Sequence, residues 1–263
     1  MSGFDAIKME VDEELGAATI RLNRPDKRNA LSGELVDVLR RELDGLRHND
    51  TIRSVFIRGN GPVFCAGADL SEIQALQTAT VHDNQKSSHK LRDFFVKLYS
   101  FPKPTIAVVH GAALAGGCGL ATCCDFVIAT REATFGYPEV KIGFIPAIVM
   151  VLLTHQIGER NARDLCLSAR TIDADEAHRI GLVTKVVVQA DLDATIHAMA
   201  KMLHGNAPQA MATVKRMFWR LHEMGTEDAL VWASDMNAMA RSTDECKEGI
   251  GAFLEKRKPK WAQ

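Results

Sequence analysis

The chain has 263 residues, 46% of them hydrophobic and 25% charged, and its formal net charge at pH 7 is −1. This size and composition predict a soluble globular protein built as one large domain, or as one domain with a small appendage. The near-neutral charge argues against a nucleic-acid-binding surface, and no segment is long and apolar enough to predict a membrane span.

The cysteines and the first residues bear on the cellular compartment. The six cysteines form no C-x-x-C motif, and two of them are adjacent in an apolar segment, so a disulfide framework is not expected. Residues 1–14 contain five acidic residues and no apolar run, which argues against a signal or transit peptide. Both features predict a cytoplasmic protein in a reducing compartment.

The first hundred residues alternate between strand and helix patterns. Strands are expected at 6–11, 16–22 and 52–57, and residues 71–100 have a polar helical pattern that is typical of a solvated helix. Ser32 can cap a helix whose apolar residues fall on one face, namely Leu35, Val38, Leu39, Leu43 and Leu46. This strand–helix–strand order, repeated after residue 104, predicts an α/β fold.

Two turns of small residues each follow a predicted strand, at 63–70 and within 108–125. In the second turn the strand breaks at Gly111, and the pair Gly116-Gly117 opens an apolar helix. The first N–H groups of a helix have no partner within it and favour a negative oxygen. Phosphate-binding glycine motifs and G-x-S-x-G are missing. The remaining interpretations are an oxyanion hole for a carbonyl that becomes an enolate, and a helix start that only packs tightly.

Glu139 follows Pro138 between an apolar strand end and a second apolar helix. Burial there is expected to raise the pKa of the carboxyl, which would make it a usable acid or base near neutral pH. The apolar run at 147–153 predicts a hydrophobic helix beside Glu139 that raises this pKa further. The alternative is a surface glutamate paired with Lys141.

A metal centre is not predicted. The candidate ligands share one stretch of sequence, and they are His110, Cys118, Cys123, Cys124 and Asp125. Zinc sites require a second pair of ligands at suitable spacing, which is missing here. We therefore expect these cysteines to be buried small hydrophobic residues.

The last third of the chain is predominantly helical. Helices are expected at 160–168 and 174–180, the second ending at Gly181, and 183–188 reads as the last strand. From residue 191 the pattern is helical to the end, with apolar stripes of Met211, Val214, Met217, Phe218 and Leu221, followed by Trp232, Met236 and Met239. These stripes predict either packing on the same domain or a partner surface.

The two small-residue turns, together with the segments at 135–139 (FGYPE) and 142–146 (IGFIP), resemble the enoyl-CoA hydratase/isomerase (crotonase) superfamily. The resemblance covers nearly the whole chain, from Leu22-Asn23-Arg24-Pro25 to 253–257 (FLEKR). It implies an acyl-CoA thioester substrate and no cofactor, because coenzyme A is part of the substrate. It implies neither a metal nor a nucleic-acid or membrane partner.

The resemblance also implies an architecture. Residues 1–195 would form an α/β, crotonase-like spiral of β-β-α units that contains the active site. Residues 196–263 would form a C-terminal α-helical oligomerisation region that assembles a homotrimer or a hexamer made of two trimers. The polar segment at 71–100 would border the acyl pocket.

By resemblance, Glu139 matches a catalytic glutamate, and the backbone N–H groups of Ala68 and Gly116 match the oxyanion hole. The residues that match coenzyme A-binding positions lie in two parts of the chain: Lys27, Arg28, Ala66, Asp69 and Leu70 in the first, and Phe253 and Lys256, which would reach a neighbour's coenzyme A, in the second.

The second catalytic glutamate of the family would stand at Gly119. The preferred interpretation is an enoyl-CoA hydratase that uses Glu139 alone. The alternatives are a Δ3-Δ2-enoyl-CoA isomerase with Glu139 as a one-base proton shuttle and, less favoured, a non-catalytic acyl-CoA-binding member. A glycine at this position is also expected to leave room for a bulkier acyl group or a second water.

Overall fold

The computed structural model describes residues 6–262. The strands in this part of the chain are β1 (Ile7–Asp12), β2 (Ala17–Leu22), β3 (Ser54–Gly59), β4 (Val63–Cys65), β5 (Thr105–Val109), β6 (Ala112–Leu114), β7 (Phe126–Thr130), β8 (Thr134–Gly136), β9 (Thr171–Asp173) and β10 (Lys185–Val187). The α-helices are α1 (Gly33–Arg47), α2 (Leu70–Leu76), α3 (Val81–Tyr99), α4 (Gly116–Thr122), α5 (Ala147–Ser168), α6 (Ala174–Arg179), α7 (Leu192–His204), α8 (Pro208–Leu221), α9 (Thr226–Arg241) and α10 (Asp244–Leu254).

From β3 to β8, successive strands alternate between two sheets. The larger sheet has the order β1-β2-β3-β5-β7-β10, and the smaller has the order β4-β6-β8-β9. All neighbours are parallel except β1 with β2 and β8 with β9. The chain therefore places one strand in each sheet and then a helix, three times in succession, which confirms the predicted α/β spiral of β-β-α units.

Strand β5 lies at the centre of the larger sheet and is buried along its whole length. Ala107 and Val109 face the main core, and Ile106 and Val108 face a smaller apolar layer that α7 covers. A strand covered on both faces reads as a continuous apolar run, which is why the sequence identified it.

The predicted cap and apolar face of α1 are confirmed. The Ser32 hydroxyl accepts a hydrogen bond from Leu35 N–H at 3.2 Å, and the five apolar side chains predicted to share a face are all buried. Residues 71–100 differ from the single helix that was expected. They form α2 and α3, and the Thr80 hydroxyl caps the second of these helices by accepting from Asp83 N–H. A helix cap within the polar run starts a new helix there.

Later elements follow the predicted order with shifted ends. Helix α5 runs from the predicted apolar segment through 160–168 and is interrupted at Gly158, where φ is 75° and ψ is 157°. Gly181 adopts a positive φ just after the α6 cap, as predicted. Residue 195, at the end of the expected core, lies inside α7, whose Leu192 and Leu203 pack on the larger sheet.

All six cysteines are free thiols, and five of them are buried. Cys118, Cys123 and Cys124 lie in the main apolar core, as predicted for small hydrophobic residues. Among residues 6–262, no helix is long and apolar enough to cross a membrane, and no group of three or more potential metal-ligating side chains is present.

Candidate active site

Asn29 is fully buried and organises the turn that leads into β4. Its side-chain amide donates hydrogen bonds to the carbonyls of Asn60, Val63 and Phe64, at distances between 2.8 and 3.2 Å. Its Oδ1 accepts from Arg24 N–H at 2.9 Å. Asn29 therefore fixes the start and end of the loop at 60–64 against the loop at 24–29, and it holds β4 in place. Sequence reasoning missed this residue because an asparagine in a polar loop gives no sign of burial.

Ala68 is positioned by hydrogen bonds on both of its sides. Leu31 N–H donates to Gly67 O at 2.8 Å, and Asp69 N–H donates to Leu31 O at 3.2 Å. The N–H of Ala68 takes part in neither bond. Its nitrogen lies 3.7 Å from the point that a Cβ on Gly116 would occupy. The structure thus brings together the two residues that the sequence identified as oxyanion-hole candidates, and both are only half-buried.

Gly67 permits this close approach. Its φ is +95°, and a Cβ there would lie 2.7 Å from Ala115 Cβ and 2.9 Å from Leu114 O. A side chain would therefore meet both an unfavourable backbone conformation and a steric clash. The predicted small-residue turn is small because it packs directly against the start of α4.

Ala115, immediately before Gly116, has an unusual backbone conformation with φ 51° and ψ −128°. This region is costly for any residue with a Cβ. The conformation is held by Ala115 N–H, which donates to Gly136 O at 2.8 Å, and by Ala115 O, which accepts from Gly119 N–H at 3.0 Å. It sets the direction of the following N–H, that of Gly116, whose position at the first turn of α4 leaves it without a partner inside the helix.

Glu139 is buried, with 7% of its surface exposed, in a short 3-10 turn at Pro138–Ile142. Its Oε2 is enclosed and has no hydrogen-bond partner within residues 6–262. Burial raises the pKa of this carboxyl above its ordinary value, and a hydrogen bond from its own backbone N–H partly offsets the effect. No ion pair joins Glu139 to Lys141 in the described part of the chain. The expectation of a desolvated carboxyl is confirmed, and the alternative of a surface pair with Lys141 is wrong.

Neutral groups lie close to Glu139 in the sequence and in the core. Burial raises the pKa of the Cys118 thiol to about 12, and the nearby Glu139 carboxylate adds to the effect. Tyr137, two residues before Glu139, is fully buried and its hydroxyl lies 2.8 Å from Thr122 Oγ1. The Thr122 hydroxyl already donates to Cys118 O at 2.9 Å, so the tyrosine is the donor in this contact. This bond fastens the chain before Glu139 to α4.

The expectation of free space at Gly119 is wrong. A Cβ at this position would lie 2.2 Å from Val149 Cγ1 and 2.9 Å from Val149 Cβ. Val149, on the first turn of α5, is 4% exposed, so its side chain fills the space that a residue larger than glycine would need. The apolar helix predicted beside Glu139 packs closely over Gly119.

Five of the predicted coenzyme A-binding residues lie in the two loops that meet near Ala68. Lys27 and Arg28 are exposed, and Arg28 O accepts a hydrogen bond from Ala66 N–H at 3.0 Å. Asp69 caps α2, and its carboxylate accepts from Arg24 at 3.2 Å and from the Ser71 hydroxyl at 2.6 Å. Those interactions lower the pKa of Asp69 and occupy its side chain. Leu70 is 60% exposed.

Phe253 and Lys256 lie in a different part of the protomer. Helix α10 packs against α9, and Glu245 in its first turn accepts hydrogen bonds from backbone N–H groups at the start of α8. Phe253 is 81% exposed, and Lys256, just after the helix, is also exposed. The structure therefore places these two residues in the C-terminal helical region, outside the two loops that hold the other five.

A cavity of about 840 Å³ lies elsewhere, between α8 and the larger sheet. It is lined mainly by apolar side chains and by the ion pair of Lys215 with Asp125. Glu139, Ala68 and Gly116 do not line it. We identify the candidate site from the unpartnered carboxyl of Glu139 and from the backbone N–H groups of Ala68 and Gly116, because a cavity with a satisfied ion pair offers less chemistry than those groups do.

Comparison with known proteins establishes the family. A family model described as enoyl-CoA hydratase/isomerase matches residues 12–263. The chain belongs to this family. This match confirms the resemblance read from the sequence motifs. The superposition with a solved structure of the family confirms the predicted fold.

Several relatives of the enoyl-CoA hydratase/isomerase family cover almost the whole chain. A relative from Thermus thermophilus is 40% identical over 244 residues, which are 93% of this chain and 96% of its own. The short-chain-enoyl-CoA hydratase of Clostridium acetobutylicum is 34% identical over 94% of this chain and 95% of its own. The crystal structure of an enoyl-CoA hydratase from Mycobacterium smegmatis superposes with a TM-score of 0.92 at 32% identity, covering 98% of this chain and 99% of that one.

Proposed function

We propose that this protein is an enoyl-CoA hydratase that adds water, reversibly, across the double bond of a 2-enoyl-CoA thioester. The observation that carries the proposal is the buried, unpartnered Oε2 of Glu139, on the chain that continues from the Tyr137–Thr122 contact with α4. A carboxyl with no structural partner and a raised pKa is suited to proton transfer. The names of the Clostridium acetobutylicum and Mycobacterium smegmatis relatives support the same reaction class.

In the proposed mechanism, the thioester oxygen is held by the backbone N–H groups of Ala68 and Gly116. The Glu139 carboxylate takes a proton from water as the hydroxide oxygen bonds to the β-carbon. As this bond forms, the electron pair of the carbon–carbon double bond shifts to join the α-carbon to the carbonyl carbon, the carbonyl π pair moves onto the thioester carbonyl oxygen, and the resulting enolate is stabilised by the two N–H groups. Glu139 returns the same proton to the α-carbon, so that water is added with no net change in the enzyme. Each oxyanion donor typically contributes roughly 3 kcal/mol to such a step.

We further propose that Lys27 and Arg28 bind the phosphates of coenzyme A, because both are exposed cations beside the oxyanion loop. Ala66, Asp69 and Leu70 would border its adenine end. Since the Asp69 carboxylate is already bound by Arg24 and Ser71, this residue would act through its backbone and through its cap on α2. No cofactor beyond the coenzyme A of the substrate is needed for the reaction.

The proposed assembly is a homotrimer, or a hexamer of two trimers, formed through residues 196–263. The exposed apolar side chains of this region support a partner surface, and they include Val214, Phe218, Leu230, Val231, Met239, Ile250, Phe253 and Leu254. In such an assembly Phe253 and Lys256 would reach the coenzyme A of a neighbouring copy, which would explain their distance from the other five residues. We propose a cytoplasmic location for this assembly.

A second candidate reaction is Δ3-Δ2-enoyl-CoA isomerisation. It is favoured by the glycine at position 119, because that position supplies no second carboxyl and Glu139 would move the proton between two carbons of the acyl chain by itself. A non-catalytic acyl-CoA-binding role is a third possibility, and the retention of Glu139 with both oxyanion candidates argues against it.

The deciding experiment is a paired turnover assay with a short 2-enoyl-CoA and a short 3-enoyl-CoA, with products resolved by mass. We expect the 2-enoyl substrate to gain one water. Conversion of the 3-enoyl substrate without a change of mass, and without hydration of the 2-enoyl substrate, would replace hydratase by isomerase. Binding of both thioesters with turnover of neither would refute both reactions and favour the binding role.

A further inference from the structure

Gly119 and Val149 fit together so closely that each restricts the other. Gly119 is buried in α4, one helical turn after Gly116 and therefore on the same side of the helix. A Cβ on Gly119 would overlap the side chain of Val149, at 2.2 Å from Cγ1 and 2.9 Å from Cβ. Such distances require one of the two groups to move, so even alanine is excluded while Val149 keeps its place.

Val149 cannot move aside easily. It is β-branched, which leaves it one strongly preferred rotamer in a helix, and it belongs to the buried face of α5 together with Leu152 and Leu153. The Val149 side chain therefore packs against the backbone of Gly119 in a fixed position. A buried core at native density has no spare volume into which the displaced methyl group could go.

We propose that Val149 is a specificity-determining residue. Its side chain fills the space that a side chain at position 119 would need, and it thereby limits this active site to one carboxylate. Glycine at 119 is then one half of a matched pair, and a second acid can be accommodated only if residue 149 becomes smaller at the same time. The effect of Gly119 and Val149 on the reaction rests on the proposed function, whereas the packing of Val149 against Gly119 does not.

A site with one carboxylate assigns the two proton transfers of the reaction differently from a site with two carboxylates. With a single carboxylate, the proton that Glu139 takes from water is the proton that it delivers to the α-carbon. With a second carboxylate at 119, one acid could activate water while the other protonates carbon, and the reaction would need one group ionised and the other protonated. The first case predicts that kcat/KM is limited by one acidic ionisation. The second predicts a bell-shaped profile.

The packing is tested by thermal unfolding of Gly119→Ala, Val149→Ala and the double variant, without substrate. We expect Gly119→Ala alone to lower Tm by several degrees, and to lower it by clearly less when Val149 is already alanine, because the 2.2 Å overlap with Cγ1 is then gone and only the 2.9 Å contact with Cβ remains. Val151→Ala is the matched control background, because Val151 lies on the same helix and is 54% exposed. The same loss of Tm in the Val149→Ala and Val151→Ala backgrounds would overturn the proposal.

The effect of Val149 on whether a second carboxylate fits at position 119 is tested by measuring kcat/KM for hydration of a short 2-enoyl-CoA over a range of pH. We expect Gly119→Glu to lose at least ten-fold in kcat/KM, about 1.4 kcal/mol. We expect Gly119→Glu with Val149→Gly to recover at least ten-fold over that single variant and to acquire a bell-shaped pH profile. Gly119→Glu with Val151→Gly is the control, and we expect it to recover nothing.

The outcomes separate the two proposals. Wild-type activity in Gly119→Glu, or equal recovery with glycine at 149 and at 151, would refute the role of Val149. If the double variant with glutamate does not fold, the alanine melting cycle decides the role of Val149. If the wild-type protein does not hydrate 2-enoyl-CoA, the proposed function fails, and that melting cycle still decides whether Val149 seals the space.

Discussion

Replacement of Glu139 by glutamine tests the proposed mechanism most directly, because it changes the chemistry of one group and almost nothing of its shape. The carboxyl is buried and its Oε2 contacts no hydrogen-bond donor within residues 6–262, so the substitution breaks no side-chain hydrogen bond at that atom. The amide cannot accept and return a proton at neutral pH. The loss should therefore fall on turnover, with binding of coenzyme A thioesters retained.

The magnitude follows from the number of roles that Glu139 has. A positioned acid or base typically contributes 10²- to 10⁴-fold, which corresponds to about 3 to 5 kcal/mol of the barrier. Since Gly119 provides no side chain and Val149 fills the space above it, no second carboxyl at position 119 can compensate. We expect the loss in kcat to lie at or above the upper end of that range, with Kd for the thioester changed only a few-fold.

The same substitution is also expected to change the thermal stability. Most substitutions of buried residues lower Tm, whereas this one is expected to leave Tm unchanged or to raise it. Burial raises the pKa of Glu139 in the folded state above its ordinary value of 4.5. A group of this kind contributes stability below its unfolded pKa and loses that contribution as the pH rises through the folded pKa. At pH 8 the wild-type protein must hold a buried carboxylate, so Glu139→Gln should have an equal or higher Tm. The difference should shrink as the pH falls toward 4.5.

The assay combines single-turnover hydration of a 2-enoyl-CoA, thioester binding by calorimetry, and melting curves from pH 4.5 to pH 8. Glu132→Gln is the matched control, because Glu132 is an exposed glutamate on the turn between β7 and β8. Turnover of Glu139→Gln within a few-fold of the Glu132→Gln control would refute the role of Glu139 as the single acid and base. A Tm at pH 8 well below that of the control would refute the reasoning from burial.

Three further predictions concern the framework around the site. Asn29→Ala should lower the free energy of unfolding by about 2–4 kcal/mol, measured by urea denaturation, because it leaves buried backbone carbonyls without donors; a loss below 0.5 kcal/mol would mean that water replaces the amide. Ala115→Gly should raise stability by about 1 kcal/mol because it relieves a positive φ, and an unchanged or lower Tm would contradict the assigned strain. Lys215→Met should lower the free energy of unfolding by about 1–3 kcal/mol, because it leaves the half-buried carboxylate of Asp125 without its cation. Lys97→Met, at a more exposed ion pair, should lower it by under about 1 kcal/mol. Equal losses in the two variants would contradict this difference in burial.

The sequence determined most of the elements and their type. Strand β5 was visible because a strand covered on both faces must be apolar at every position, and α1 was visible because its capping serine and its apolar spacing agree. The motifs around Ala68, Gly116 and Glu139 identified the family because small residues and an isolated carboxyl occur there in a fixed order. These are local properties, and they are encoded within a few consecutive residues.

The tertiary structure decided what lies opposite those residues. Asn29 reads as an ordinary polar loop residue, and only the folded chain shows that it holds together loops more than 30 residues apart in the sequence. Gly119 read as an opening in the site, and only the approach of α5 to α4 shows that Val149 closes it. Glycine gives the same sequence signal whether it faces empty space or a neighbouring side chain. Which of the two applies depends on the close packing of distant segments, and that packing is what sequence patterns do not contain.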